Sequence, residues 1–336
     1  KMMSYLYVSE QGASIKAEGG YFVVVYKGGM IKKIPSETLE YIAVFGNVQL
    51  TTQAIKKCFQ NGVVVNFFSS NGSYFGRLDS TKNCNISRQR NQFSVSMDVE
   101  FCRKISAKII SAKIHNQRVI LERYIKTQTP ELAEALKQIR NAENKIHGCM
   151  DLDQIKGYEG IAARYYFQAL GKLILPDFRF EGRNRMPPKD PFNSMISLGY
   201  TLLLHEVYGA ILGKGMSPYA AFLHQDKENH PTLASDMMEE WRAILIDSMV
   251  MSLIQGREVD IDGFYVDYET GAVLLREEVF KIFIRKYERK LRTETKYNAC
   301  GSGRISYRRS IFNQIGKLAQ AVDSEDPEKY EPIMIR

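Results

Sequence analysis

Asp153-Gln154-Ile155-Lys156-Gly157-Tyr158-Glu159-Gly160-Ile161-Ala162-Ala163-Arg164-Tyr165-Tyr166-Phe167-Gln168-Ala169-Leu170 is the stretch from which this chain is best read. Ile155, Glu159, Ala162, Tyr166, Leu170 and Leu173 recur at spacings of 4, 3, 4, 4 and 3, the period of a core-facing helical stripe. Glu159 stands where an apolar residue belongs. A carboxylate there has to be neutralised, paired or bound to a cation, because burying a bare charge is too costly.

Helical period extends over most of the chain beyond residue 98. Ile105, Ile109 and Ala112, followed by Val119 and Ile120, mark one long helix, and Pro130 to Ile146 a second. Asp190-Pro191 reads as an N-cap followed by proline at the first helical position, opening a helix to Tyr208. Ser217-Pro218 starts a short helix ending near His224, and a longer helix runs from Thr232 or Ser235 to about Ile254. Phe264–Asp267 and Ala272–Leu275 suggest a hairpin, and Glu277–Arg292 and Tyr307–Val322 two last helices.

The first 80 residues read differently. Tyr5–Val8, Tyr21–Tyr26 and Val63–Phe68 are β-branched and aromatic runs bounded by Gly19-Gly20, Gly28-Gly29 and Asn71-Gly72. One helix, Thr52 to Asn61 with Gly62 as its stop, interrupts them. The expected architecture is α+β: a small N-terminal β-sandwich-like domain over 1–80, a polar hinge over 81–97, and a larger all-helical domain over 98–336. Exposed strand edges make the β-rich domain the natural dimerisation surface.

The 336 residues are 44% hydrophobic, enough for two cores. No run of about 18 apolar residues suggests a membrane span, and the first residues do not read as a signal peptide. Cys58, Cys84, Cys102, Cys149 and Cys300 are scattered, with no CxxC pair, so neither a disulfide framework nor structural zinc is expected, and a reducing, cytoplasmic setting fits. Lys and Arg number 46 against 38 Asp and Glu, a net charge of +8. Between Arg103 and Lys126, Lys108, Lys113 and Arg118 belong to a basic run holding one acid, Glu122. Such a run is either a solvated helix face or a phosphate-facing surface.

Chemistry-bearing groups concentrate further on. On the Thr232–Ile254 helix, Asp236, Glu239, Glu240 and Asp247 fall on one arc of about 100°, opposite Met237, Trp241, Ile244 and Leu245. Adjacent carboxylates repel unless a cation or proton sits between them. The arc is either the acidic solvent face of an amphipathic helix or, with the i, i+3 pair Asp236 and Glu239 joined by Glu159 and His224, a mixed nitrogen and oxygen set suited to Mg²⁺ or Mn²⁺. Arg183 and Arg185, in the turn 180–190, either clamp phosphate oxygens or pair with Glu181 and Asp190 in a rigid loop. Neither GxxxxGK[ST], HExxH nor GxSxG is present.

Tyr158-Glu159-Gly160-Ile161-Ala162-Ala163-Arg164-Tyr165-Tyr166-Phe167 resembles the EG-x-AAR-x-YF helix of the CRISPR-associated endonuclease and integrase family (Cas protein one, the catalytic subunit of spacer acquisition). Arg183-Asn184-Arg185-Met186-Pro187-Pro188-Lys189-Asp190-Pro191-Phe192-Asn193 is similar to its R-x-R-x-PP-x-D-x-x-N loop, and Gly215 to His224 with Leu233 to Arg242 to its third block. Ala221 departs from a common glycine and Ser235 from a common apolar residue; neither removes a ligand. The resemblance implies Glu159, His224 and Glu239 as ligands of Mg²⁺ or Mn²⁺, with Asp236 beside them. It implies joining of a captured fragment's 3′-hydroxyl to a CRISPR repeat, and cleavage of branched DNA, in antiviral defence. Its implied partners are double-stranded and branched DNA, a second copy of the chain, and a small ferredoxin-like subunit (Cas protein two). The competing readings are a noncatalytic DNA-binding scaffold and an RNA-directed metal nuclease. No RNP-type aromatic motif or other RNA module supports the latter.

Overall fold

The computed structural model describes residues 4–80, 84–295 and 303–336. The chain divides into two compact units, Lys1–Lys82 and Asn83–Arg336.

In the first unit, strands β1 (Ser4–Val8), β2 (Ser14–Glu18), β3 (Tyr21–Tyr26), β4 (Gly29–Pro35), β5 (Leu39–Phe45) and β6 (Gln49–Leu50) precede helix α1 (Thr52–Asn61), and β7 (Val64–Phe68) and β8 (Tyr74–Leu78) follow it. They form two four-stranded sheets, β4-β3-β2-β6 and β1-β5-β7-β8. β5 and β7 are parallel, so the chain must cross over between them, and α1 is part of that crossover. The Thr51 side chain caps its first turn at Ala54 N, and Gly62, at φ +69°, takes the left-handed conformation that ends it. The unit's core gathers Leu6, Val8, Ile15, Phe22, Val24, Ile42, Val44 and Val65. The Asn71-Gly72 turn joins β7 and β8 antiparallel, with Gly72 at φ +87°.

The second unit is mainly helical: α2 (Ile86–Ser96), α3 (Val99–Tyr124), α4 (Pro130–Lys145), α5 (Leu152–Leu173), α6 (Pro191–Gly213), α7 (Thr232–Met238), α8 (Ser248–Gln255), α9 (Glu277–Arg292) and α10 (Tyr307–Asp323). A short antiparallel hairpin, β9 (Phe264–Val266) and β10 (Val273–Leu275), lies before α9. Side-chain caps set the starts of three central helices: Asp98 for α3, Asp151 for α5 and Asp190 for α6. Among the described residues α6 alone has the length and apolar content to cross a bilayer. Its Phe192, Met195, Ile196, Leu203 and Val207 are instead buried inside the unit, as in a core helix.

Three expectations are corrected here. The polar stretch read as a hinge over 81–97 is largely helix α2; residues 81–83 lie outside the described residues. Gln92 fastens α2 to the helical unit by donating to Ser217 O at 2.7 Å and Ala220 O at 3.0 Å. Residues 217–224, expected as a short helix, are loop, because their amides bond elsewhere. The amides of Phe222, Leu223 and His224 donate to the Asp236 carboxylate, not to carbonyls four residues back.

The third correction concerns Thr232–Ile254, which is not one amphipathic helix. It breaks into α7, a π-helical turn over Arg242–Asp247, and α8. All of Asp236, Glu239, Glu240 and Asp247 are buried. An element buried all round has no solvent face to collect acids, and a π turn also shifts the phase of residues beyond it. The four carboxylates consequently point to different partners. Cys58, Cys84, Cys102 and Cys149 are free thiols, and Cys300 lies outside the described residues.

Candidate active site

α3 is the scaffold of the site. Expected as a basic surface, it is instead the central helix, packed against α4 and α5 and buried along Ile105, Ile109, Ala112, Lys113 and Asn116. Its charges are taken up within the protein. Lys108 bonds Pro327 O at 3.0 Å and pairs with Glu328 at 2.9 Å, while Arg118 pairs with Glu143 at 2.9 Å and Glu122 at 3.2 Å. Neither lines the cleft described next.

That cleft, about 750 Å³, lies in the helical unit and is lined by Glu159, His224, Glu239, Arg183, Arg185 and Lys113, among others. α5 supplies Glu159, whose neighbours in the stripe, Ile155, Ala162, Tyr166 and Leu170, are buried while it remains about a quarter exposed. Lys113, reaching from α3, places its ammonium 2.5 Å from Glu159 Oε1 and 2.6 Å from Glu239 Oε2. Burial pulls this lysine down, but the Glu239 and Glu159 carboxylates outweigh it and hold the ammonium above the usual lysine range. Arg242 Nε lies 3.1 Å from the same Glu239 oxygen. Burial would raise Glu239, yet Arg242 and Lys113 win and hold it at about 2. Although close to two cations, Glu239 Oε2 takes no well-directed hydrogen bond. It is an ionised, buried oxygen held between two cations.

Asp236 is fully buried and spent on the loop that carries His224. Its Oδ2 accepts from Phe222 N at 2.8 Å and Leu223 N at 2.9 Å, and its Oδ1 from His224 N at 3.1 Å. Oδ1 also lies 2.6 Å from His224 Nδ1. This last bond raises the His224 imidazole above the usual histidine range against the effect of burial. With Nδ1 so engaged, Nε2 is the ring atom left to act as a ligand.

The other two acids of this segment belong elsewhere. Glu240 accepts from the Tyr330 hydroxyl and from Ile333 N at 2.7 Å, and burial pushes it up to about 8. Asp247 accepts from Tyr200 at 2.6 Å and Tyr166 at 3.0 Å, and burial lifts it to about 6 despite those donors.

The arginine turn is braced from within. Arg183 donates to Asn193 Oδ1 at 2.9 Å and Ser197 Oγ at 3.0 Å, and Asn184 donates to Asp190 at 3.0 Å. Among the described residues neither Arg183 nor Arg185 pairs with Glu181 or Asp190, and the exposed Arg185 opens onto the cleft. The structure therefore brings Glu159, His224, Glu239, Arg183 and Arg185 to one cavity, sets Asp236 behind His224, and leaves Lys108 and Arg118 outside.

Sequence reasoning missed what Lys113 and Arg242 do. A signal existed for the first: Ile105, Ile109, Lys113, Asn116 and Ile120 recur at spacings of 4, 4, 3 and 4. This is the same polar intrusion into a helical stripe that marked Glu159.

The model of the family described as "CRISPR associated protein Cas1" matches residues 6–289. The chain belongs to the Cas1 family. It is 33% identical over 333 residues to the CRISPR-associated endonuclease Cas1 of Mycobacterium tuberculosis (strain CDC 1551 / Oshkosh), covering 99% of this chain and 98% of the relative. A Cas1 endonuclease of Thermus thermophilus is likewise 33% identical, covering 98% and 97%. Solved structures agree in fold. A Cas1 protein from Thermotoga maritima superposes at TM-score 0.80 with 24% identity, covering 95% of this chain and 97% of that one. A casposase bound to integration product superposes at 0.83 with 21% identity, covering 99% and 96%. In a Cas6-RT-Cas1–Cas2 complex the TM-score is 0.85 at 22% identity, over all of this chain and 36% of that much longer one.

Proposed function

We propose that this Cas1-family protein is a metal-dependent DNA endonuclease and integrase that inserts captured DNA into a CRISPR repeat. The observation that carries the reading is the convergence of Glu159, His224 and Glu239, from three separate segments, on one cleft that also holds Arg183 and Arg185. The names of the relatives, endonucleases, and of the casposase with its integration product support it.

The donor set suits a divalent cation. Glu239 offers a buried, ionised carboxylate, Glu159 a partly exposed one, and His224 an imidazole oriented through Nδ1 by Asp236. Mixed carboxylate and imidazole ligation fits Mg²⁺ or Mn²⁺ better than a structural zinc site. Among the described residues no three such groups are gathered closely enough to hold an ion, and the Lys113 ammonium stands between Glu159 and Glu239. When bound, the metal would polarise the phosphodiester and stabilise charge on the attacking and leaving oxygens.

The chain's own residues supply the rest. Arg183, held at its guanidinium by Asn193 and Ser197, and Arg185 present positive charge to the phosphate of a strand entering the cleft. The 3′-oxygen of the captured fragment bonds to phosphorus as the 3′-oxygen of the repeat leaves. One phosphodiester replaces another, and no activated cofactor is consumed. The fold neighbours include Cas1–Cas2 complexes, so a Cas2-type small subunit is the partner of choice; the strand edges of the β-rich unit are the surface we assign to a second copy.

The test is joining of a short DNA duplex into a repeat-bearing plasmid with Mn²⁺ or EDTA, in the presence of a Cas2-type subunit. Glu159→Ala and His224→Ala should abolish joining while keeping DNA binding. Joining that persists in both would remove the cleft from the reaction. A chain that binds DNA yet never joins it, with or without Mn²⁺, would be a scaffold.

A further inference from the structure

We propose that Lys113 is a built-in counter-cation of this site, which a divalent ion must displace from between Glu159 and Glu239. The inference rests on the reading that these carboxylates and His224 are the metal ligands. Two carboxylates from different segments, Glu159 on α5 and Glu239 just after α7, meet on one ammonium, at 2.5 and 2.6 Å. The Lys113 side chain is only 9% exposed, so solvent screens this arrangement weakly. Arg242 adds a second cation at Glu239, so the charges of Glu159 and Glu239 are already balanced by protein groups.

A divalent ion arriving beside two cations would meet strong repulsion, whereas one that replaces the ammonium would inherit its place. Lys113 is able to leave. Its charge rides on a flexible four-carbon stem, and the residue borders the open cleft. Arg242 is held differently, its guanidinium 4.4 Å over the Tyr200 ring, and stays with Glu239. The two cations thus divide the work: Arg242 keeps Glu239 ionised, and Lys113 fills the gap until metal enters. A resident cation of this kind weakens metal affinity and stops the carboxylates from repelling each other meanwhile.

The first experiment is Mn²⁺ titration by isothermal calorimetry on wild type, Lys113→Met, Lys113→Arg, Glu159→Ala and His224→Ala. Lys113→Met should bind Mn²⁺ about tenfold more tightly or better, the scale of losing one strong charge contact, and Lys113→Arg should stay near wild type. Equal or weaker binding by a folded Lys113→Met overturns the proposal and would make Lys113 an organiser of the ligands. Should that variant fail to fold, wild type decides the matter through acylation of Lys113 followed by mass spectrometry. Labelling should be slow without metal and several-fold faster with saturating Mn²⁺; labelling that saturating Mn²⁺ leaves unchanged refutes displacement. Metal binding indifferent to Glu159→Ala and His224→Ala would instead sink the underlying site, an outcome distinct from either result at Lys113.

Discussion

Glu240 offers a quantitative test of how the segment that carries Glu239 is stabilised. It is fully buried beside Glu239, facing Tyr330 and Ile333, and burial raises it from 4.5 to about 8. The folded state therefore holds this proton more tightly than the unfolded chain. Stability is undiminished below the unfolded value near 4.5 and falls as pH rises towards 8. At about 1.4 kcal/mol per pH unit the penalty approaches roughly 3 kcal/mol at pH 7 and roughly 5 kcal/mol above pH 8. Glu240→Gln mimics the protonated acid, so the variant should match wild type near pH 5 and exceed it increasingly towards pH 8.5. The single tryptophan, Trp241, is buried next door and makes its fluorescence in a urea titration a direct reporter. Parallel pH profiles for the two proteins, or a variant less stable at every pH, would refute the reasoning.

Asp236→Asn should bring the His224 imidazole back down towards the usual histidine value of about 6.5, because its main support is the bond to that carboxylate; a histidine NMR titration reads this. The sign for stability follows: the wild-type His224–Asp236 pair contributes below pH 6.5 and loses its contribution as pH rises through the raised value, a dependence the variant should lack. Gly171→Ala would set a Cβ 2.2 Å from the Phe180 carbonyl oxygen, where backbone meets backbone. It should cost about 1–3 kcal/mol in the urea assay, through the very segment that leads into Arg183.

What could be read from the sequence was local. Glu159 betrayed itself by interrupting a helical stripe, Asp190-Pro191 by cap chemistry, and Gly62 by the left-handed turn it makes. What failed was direction on a buried helix. The four acids after Thr232 looked like one face because periodicity presumes a helix with an outside. Here the partners lie far along the chain: Tyr330 and Ile333 for Glu240, Tyr166 and Tyr200 for Asp247, and the 222–224 amides for Asp236. Spacing within a segment carries no information about such partners. Lys113 was misread for a related reason, since a lysine among basic neighbours resembles surface until its helix proves central.

The anchoring of residues 330–335 on α3 and Glu240 also bears on how the protein comes to be folded. Asn116 donates to Ile333 O at 2.8 Å and accepts from Ile335 N at 3.0 Å, while His115 Nε2 lies 2.8 Å from Ile335 O. These bonds close loops of more than 200 residues, and they form only after residue 335 has been synthesised. Until then Asn116, on the middle of α3, lacks the backbone partners that satisfy its side chain. Long-range closure of this kind is slow, so the packing of residues 330–335 against α3 should be among the last parts of the helical unit to form.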